Sequence, residues 1–278
     1  MMHELNPSEF YRALAVFQGD DPRSSRGLPP FAVLEGRSPG RVFVDDPHDP
    51  ATAFIWSRWG YFYLAGEARH DEFNRALHER LCGELLPQSV ALGERWPVLY
   101  PFSEAWGEKI GLLLGDRAYQ KLYRRSYTLN LAAFSLHRAW RKKVLPGFCM
   151  RRVDQELLAQ TGDEIAGPIQ ATWISLGAFL SQGLGYCLLH GERVVSLCLA
   201  CFAARGKLEI SINTAEEYRR QGLATLTVAA FIEECLGRGL QPNWECWWTN
   251  TPSTALAEKL GFEQGVDHPV YYWEEGAT

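Results

Sequence analysis

The segment Tyr218-Arg219-Arg220-Gln221-Gly222-Leu223-Ala224-Thr225 is where the residue types and spacing point most directly to a chemistry. An alternating stretch, Leu208-Glu209-Ile210-Ser211-Ile212-Asn213-Thr214, precedes it. An apolar-periodic run from Leu226 to Leu236, free of proline and glycine, follows. The order predicts a strand, a turn and a helix. An Arg-x-x-Gly-x-Ala turn at a helix start offers unpaired first-turn N–H groups, and the helix dipole favours negative charge there. Gly222 lets the backbone approach such an anion without a Cβ in the way. The chemistry expected is the binding of a phosphate group.

The strand before the turn must present any reacting groups. Alternation puts Glu209, Ser211 and Asn213 on one face and Ile210, Ile212 and Thr214 on the other. A carboxylate on a central strand is costly to bury without a partner, which makes Glu209 the candidate general base. The competing reading is a hydrogen-bonded glutamate at a sheet edge. Glu216 and Glu217 read as surface residues.

The chain as a whole sets bounds on these readings. Its 278 residues suit one large or two ordinary domains. A net charge of -5 gives no electrostatic case for nucleic acid and is compatible with a cationic substrate. No apolar run is long enough to span a bilayer, and Met1-Met2-His3-Glu4-Leu5 does not begin a secretory signal, so no membrane partner is expected. Ten tryptophans imply large buried faces or an aromatic pocket. Cys198 and Cys201 form a C-x-x-C, but inside a strand-like run they point to opposite faces, and no second pair completes a metal site. All seven cysteines read as reduced thiols of a cytoplasmic chain.

Along the first half the pattern predicts a helical stretch at Ser8–Phe17 and a loop over Asp21–Pro30. Strands follow at Arg41–Val44, Ala53–Ser57 and Tyr61–Ala65, with a turn at Trp59-Gly60 between the last two. A helix is expected over His70–Leu86, a short strand at Val98–Tyr100, a helix over Glu104–Leu114 capped by Ser103, and a strand at Arg124–Asn130. Phe134 to Gly147 is basic and ends in Pro146-Gly147. It reads as a solvated linker, and contact with nucleic acid through it is opposed by the overall charge. In the second half a strand at Phe148–Val153 precedes helices at Gln155–Gln160, capped by Asp154, and Trp173–Gln182. Three strands follow, Gly185–His190, Val194–Ala203 and Leu208–Thr214, the first two joined at Gly191-Glu192. After the Arg-x-x-Gly-x-Ala turn and its helix come a strand at Trp244–Trp248, a helix at Ser253–Leu260 and a strand at Val270–Trp273.

This order resembles the GNAT superfamily of acyl-CoA-dependent N-acetyltransferases. Arg219-Arg220-Gln221-Gly222-Leu223-Ala224 matches the family's pyrophosphate loop. The stretch from Asn250-Thr251-Pro252-Ser253 to Leu260-Gly261-Phe262 is similar to the family's Asn, helix, Leu-Gly-Phe ending. The phrasing of residues 148 to 274 resembles a subgroup with an N-terminal extension that includes an antibiotic self-resistance acetyltransferase, for zwittermicin. The resemblance implies an α/β (α+β) fold with a mixed, mostly antiparallel central sheet flanked by helices. It implies acetyl-CoA as acyl donor, with no metal, and a small-molecule amine, antibiotic or amino-acid-like, as acceptor. The loop residues Arg219, Arg220, Gln221, Gly222, Leu223, Ala224 and Thr225 would hold the cofactor, one of the two arginines bracing the loop instead. The N–H groups near Ile212 and Thr214 would hold the pantetheine arm and polarise the thioester carbonyl. Asn250 would contact the cofactor.

One family feature is missing. Many members carry a tyrosine on the last helix as general acid, and here that position is Ala257. Ser253, Tyr271, Tyr272 or a water is left to protonate the thiolate, unless it departs unassisted. The absence favours an alternative in which the chain binds acyl-CoA as a regulatory module without chemistry. The first half resembles a worn copy of the second, with Glu108-Lys109-Ile110-Gly111 echoing Glu258-Lys259-Leu260-Gly261 but no glycine loop after Ala65-Gly66. The expected organisation is therefore a degenerate GNAT-like or acceptor-shaping domain at 1–133, a basic linker at 134–147 and an acyl-CoA-binding domain at 148–278. The oligomeric state, monomer or homodimer, is open at this stage.

Overall fold

A computed structural model describes residues 1–18, 27–58 and 60–275. Most of the expected Asp21–Pro30 loop, and Trp59 of the Trp59-Gly60 turn, lie outside the described residues. The chain divides into two compact units, Met1–Arg124 with His268–Thr278, and Arg125–Asp267.

In the first unit β1 (His3–Glu4), β2 (Gly40–Val44), β3 (Thr52–Ser57) and β4 (Tyr61–Gly66) pair antiparallel in that order. The helix Asp71–Arg80 then carries the chain to β5 (Val98–Pro101), which pairs parallel with β4. Residues 268–273 of the final strand add antiparallel to β5, Tyr271 opposite Leu99. Phe43, Phe54, Phe62, Phe73, Trp106 and Trp273 build its core. The helix expected over His70–Leu86 contains a π-helical turn at Leu81–Leu85 and runs on to Ala91. Ser103 stands before the short helix Glu104–Gly107, but its hydroxyl makes no cap bond.

In the second unit β7 (Phe148–Arg152), β8 (Gly185–His190), β9 (Arg193–Ala204) and β10 (Lys207–Thr214) again pair antiparallel in sequence. Gly191, at a φ of 62°, turns the β8–β9 hairpin. The helix Leu223–Gly237 leads to β11 (Gln241–Trp247), parallel to β10. The helix Thr251–Lys259 and residues 262–267 of β12 (Phe262–Trp273) follow, and the end of β6 (Tyr119–Leu129) lies beside β11. The helix Leu223–Gly237 is apolar on most sides because it is buried on most sides, from Leu226 to Cys235. Asp154, Ser175 and Asn250 cap their helices by accepting first-turn N–H bonds.

Several sequence expectations differ from this architecture. A helix at Asp163–Thr172, with Gly167 and Pro168 inside it, occupies a stretch to which the sequence pattern assigns no element. Gly162, at a φ of 56°, makes the corner between two helices, and the buried face of Ile165, Ala166 and Ile169 outweighs the proline. The Trp173–Gln182 helix accordingly shortens to Leu176–Gln182. The basic segment 134–147 is not a free linker. It folds into short turns of the second unit, anchored by buried Phe134 and Trp140, and the indole of Trp140 donates to Glu233 at 2.7 Å. The division of units falls at Arg124/Arg125, and the last strand returns to the first unit.

Candidate functional site

The parallel pairing of β10 with β11 covers only Lys207–Glu209 opposite Gln241–Asn243, whereas β10 stays paired with β9 as far as Thr214. The two parallel strands therefore part after Glu209. On that side the backbone of Ile210–Thr214 has no ladder partner among the described residues. A cleft of about 730 Å³ opens at this place.

Its lining comes from three elements. The end of β10 gives Ile212, Asn213 and Thr214. The loop and helix start give Tyr218, Arg219, Arg220, Gly222, Leu223, Ala224 and Thr225. The last helix gives Asn250, Pro252, Ser253, Ala255, Leu256 and Lys259. Of the expected site residues, all but Gln221 and Glu209 line it. Gln221 turns away and donates from Nε2 to the Glu217 carbonyl at 3.1 Å, closing the loop on the 3-10 turn Glu216–Tyr218.

The loop is built for donors. Gly222, at a φ of 82°, stands at the N-cap, and among the described residues no side-chain cap accepts from the first-turn N–H groups that follow it. A Cβ at Gly222 would meet nothing within 4 Å, so the glycine answers to its backbone conformation and to what enters the cleft, not to crowding by the protein. Arg220 is also left-handed, at a φ of 60°, a strain on the order of 1–2 kcal/mol for a residue with a Cβ. Left-handed residues in such a turn aim successive N–H groups into one concavity. The first turn of the helix holds no acidic residue. Arg219 Nε donates to the Thr214 carbonyl at 3.1 Å, tying the loop to the strand end. Arg220 and Lys259 supply positive charge to the cleft.

Thr214 is further fixed by its hydroxyl, 3.0 Å from that of Ser196 across the β9–β10 pair. Asn250 caps the last helix by accepting from the Ser253 N–H at 3.2 Å and also faces the cleft. The Ser253 hydroxyl accepts from the indole of buried Trp244 at 3.1 Å. With its oxygen so engaged, its O–H is directed to donate elsewhere. Ala257 is fully buried in the core of the second unit, off the cleft-lining face. Tyr271 and Tyr272 do not line the cleft; they belong to the first unit, where Tyr272 stacks on Trp96 at 5.5 Å.

Glu209 is buried, 6% exposed, and accepts from the side-chain amide of Asn243 opposite it. It sits at the point where β10 and β11 part, opposite a bulge: β9 slips by one residue between Glu209 and Ile210, leaving Cys201 extra, its Sγ 3.5 Å from the Glu209 carbonyl. Cys187, Cys198, Cys235 and Cys246 are buried in the core of the second unit. Burial pushes the Cys187 and Cys235 thiols up to about 12, far from the thiolate reactivity range.

Several lining residues escaped the sequence reading: Asn213, Tyr218, Pro252, Ala255, Leu256 and Lys259. The last four recur at helical spacing and so share one face, a signal the sequence did carry. Tyr218 carried none, since its place in the cleft depends on the 3-10 turn and on its hydroxyl meeting His190 Nδ1 at 2.9 Å.

The cleft thus joins a cationic, donor-rich end to walls of Ile212, Leu223, Ala255 and Leu256, which fits a long ligand with a phosphate group at one end and a slender amphipathic arm. Known proteins agree. The profile of the GNAT acetyltransferase family matches residues 30–271. An uncharacterized N-acetyltransferase of Bacillus subtilis, YdfB, is 31% identical over 245 residues, covering 87% of this chain and 88% of that protein. The crystal structure of a GCN5-related N-acetyltransferase-like protein from Streptococcus suis superposes with a TM-score of 0.70 at 27% identity, covering 97% of this chain and all of that one. A tandem GNAT protein from the clavulanic acid biosynthesis pathway shares the fold at a TM-score of 0.61 and 11% identity, over all of this chain and 99% of its own. The chain belongs to the GNAT acetyltransferase family, N-acetyltransferases that draw the acetyl group from acetyl-CoA.

Proposed function

We propose that the second unit binds acetyl-CoA in the cleft between β10 and β11 and transfers its acetyl group to the primary amine of a small molecule. The carrying observation is the uncapped, acid-free helix start at Gly222 in the same cleft as Ile212, Thr214 and Asn250. The N–H groups of Leu223, Ala224 and Thr225, with Arg220, hold the pyrophosphate, while Arg219 and Gln221 keep the loop in shape. The free backbone edge of β10 holds the pantetheine arm and supplies donors to the oxyanion that forms at the thioester carbon.

Glu209 accepts the proton that the attacking amine must lose, directly or through a water. Ser253 donates a proton toward the departing thiolate, in place of the tyrosine absent at 257. The acceptor is an antibiotic or amino-acid derivative. This follows the resemblance to the self-resistance subgroup, and a cationic amine suits a chain of net charge -5. The first unit is a GNAT-like repeat without a phosphate loop. Its support is that β1 to β5 repeat the order and pairing sense of β7 to β11.

Thiol release from acetyl-CoA, measured with polyamines, amino-acid amides and aminoglycosides, tests the reading. Turnover on at least one of these classes is expected. Stabilisation by acetyl-CoA in a thermal-shift assay without thiol release on any amine would instead support the non-catalytic acyl-CoA-binding module.

A further inference from the structure

We infer that Asn243 is a positioning residue for the Glu209 carboxylate, holding the base in one orientation at the mouth of the β10–β11 opening. The inference rests on Glu209 acting as the base. Asn243 occupies the last parallel pair before the strands part, directly opposite Glu209. The two residues are 4% and 6% exposed, and the Asn243 amide donates to Glu209 Oε2.

Asparagine is a poor strand residue, and a buried amide costs free energy unless it is paired. Here the amide has a carboxylate to serve. A donor fixed on β11 settles the plane of that carboxylate and favours its ionised form, the form a base requires. On β10 itself Lys207 lies two residues away on the same face, its ammonium disfavoured by burial and by Arg205 and supported by Glu209. On β9 the Cys201 thiol meets the Glu209 carbonyl. From β11 come Asn243, directly opposite Glu209, and Glu245, two residues further on the same face of the strand.

The sign of the expected change follows. Without the amide the ionised carboxylate loses a donor, so it takes up its proton at higher pH. Asn243→Leu keeps much of the volume and removes the donor. Asn243→Asp keeps the shape and sets a second carboxylate beside the first.

The full-length protein, labelled with 13C at the glutamate carboxyls, gives a direct reading. The Glu209 signal is assigned by its loss in Glu209→Gln. Its titration midpoint should rise by about one pH unit in Asn243→Leu, a tenfold change in the proton equilibrium, and further in Asn243→Asp. kcat should fall in both variants while KM for acetyl-CoA stays near the parent value. If the leucine variant does not fold, the isosteric aspartate variant carries the test. An unmoved midpoint, with Glu209→Gln still slowing turnover, overturns the positioning role alone. A moved midpoint with unslowed Glu209→Gln overturns the base assignment and with it any catalytic purpose for the pair.

Discussion

The turn from β4 into the helix Asp71–Arg80 and the turn from β10 into the helix Leu223–Gly237 occupy the same place in two copies of one topology. The first is sealed. His70 accepts the Phe73 N–H at 3.0 Å, Glu67 accepts that of Arg69 at 2.8 Å, and Asp71 and Glu72 fill the first turn with negative charge. Parallel pairing there covers Tyr61–Leu64, and the Phe102 N–H extends it by donating to the Leu64 carbonyl. The Gly66 carbonyl is taken by the indole of fully buried Trp106. The second turn has no side-chain cap, no first-turn acid and strands that part after three pairs. One topology therefore gives capped first-turn donors in one unit and uncapped ones in the other. The decision lies with which side chains reach the first-turn donors and whether the neighbouring strand stays paired.

Substitutions in the two turns should separate sharply. Gly222→Asp is expected to weaken acetyl-CoA binding by at least ~10³-fold, since a carboxylate would accept from the first-turn N–H groups in the phosphate's place and repel it. A Cβ there meets nothing within 4 Å, and the left-handed backbone at a φ of 82° costs an aspartate on the order of 1 kcal/mol, so the fold should survive with slightly lower stability. Calorimetric affinity within a few-fold of the parent would break the comparison at its strongest point. Glu209→Gln should lower kcat by ~10²-fold with cofactor affinity unchanged, and steady-state thiol release reads both.

Smaller effects would sharpen the picture. Arg220→Ala should weaken acetyl-CoA binding about tenfold, roughly one charge-assisted bond, without lowering thermal stability. Arg219→Ala should lower stability as well, because its guanidinium holds the strand end at Thr214. Equal stability in the two variants would remove the distinction between brace and ligand. Ser253→Ala is expected to slow kcat severalfold to about tenfold, the range of a weak proton donor that water can replace. The smallest effect is the control in the sealed turn: Glu67→Gln should change acetyl-CoA affinity by less than about twofold. A large change there would mean that the first unit also takes part in binding.

Much of the cleft was legible because its parts are local in sequence. The strand, loop and helix from Leu208 to Leu236 announce themselves by alternation, by Gly222 and by apolar periodicity, and Asn250 announces a cap. What was not legible is non-local. That Asn243 would face Glu209 depends on the register of two strands joined by a crossover. That Arg219 rather than Arg220 would brace the loop depends on the left-handed conformation at 220. The helix Asp163–Thr172 was hidden because glycine and proline are read as breakers when tertiary burial is unknown. The basic run at 134–147 misled in the opposite way. Its charges suggested a solvated tether, but two aromatic residues within it, Phe134 and Trp140, decide its place.

The return of the final strand to the first unit has a consequence for how the chain is made. Tyr271 and Tyr272 pair with Leu99 and Val98, and Val270 and Trp273 are almost wholly buried. On the ribosome the first unit emerges early, yet β5 stays an open edge, and the core around Trp106 lacks Trp273, until translation has passed all of the second unit. Such an edge invites pairing with other chains while it waits. The unit synthesised first is the one completed last.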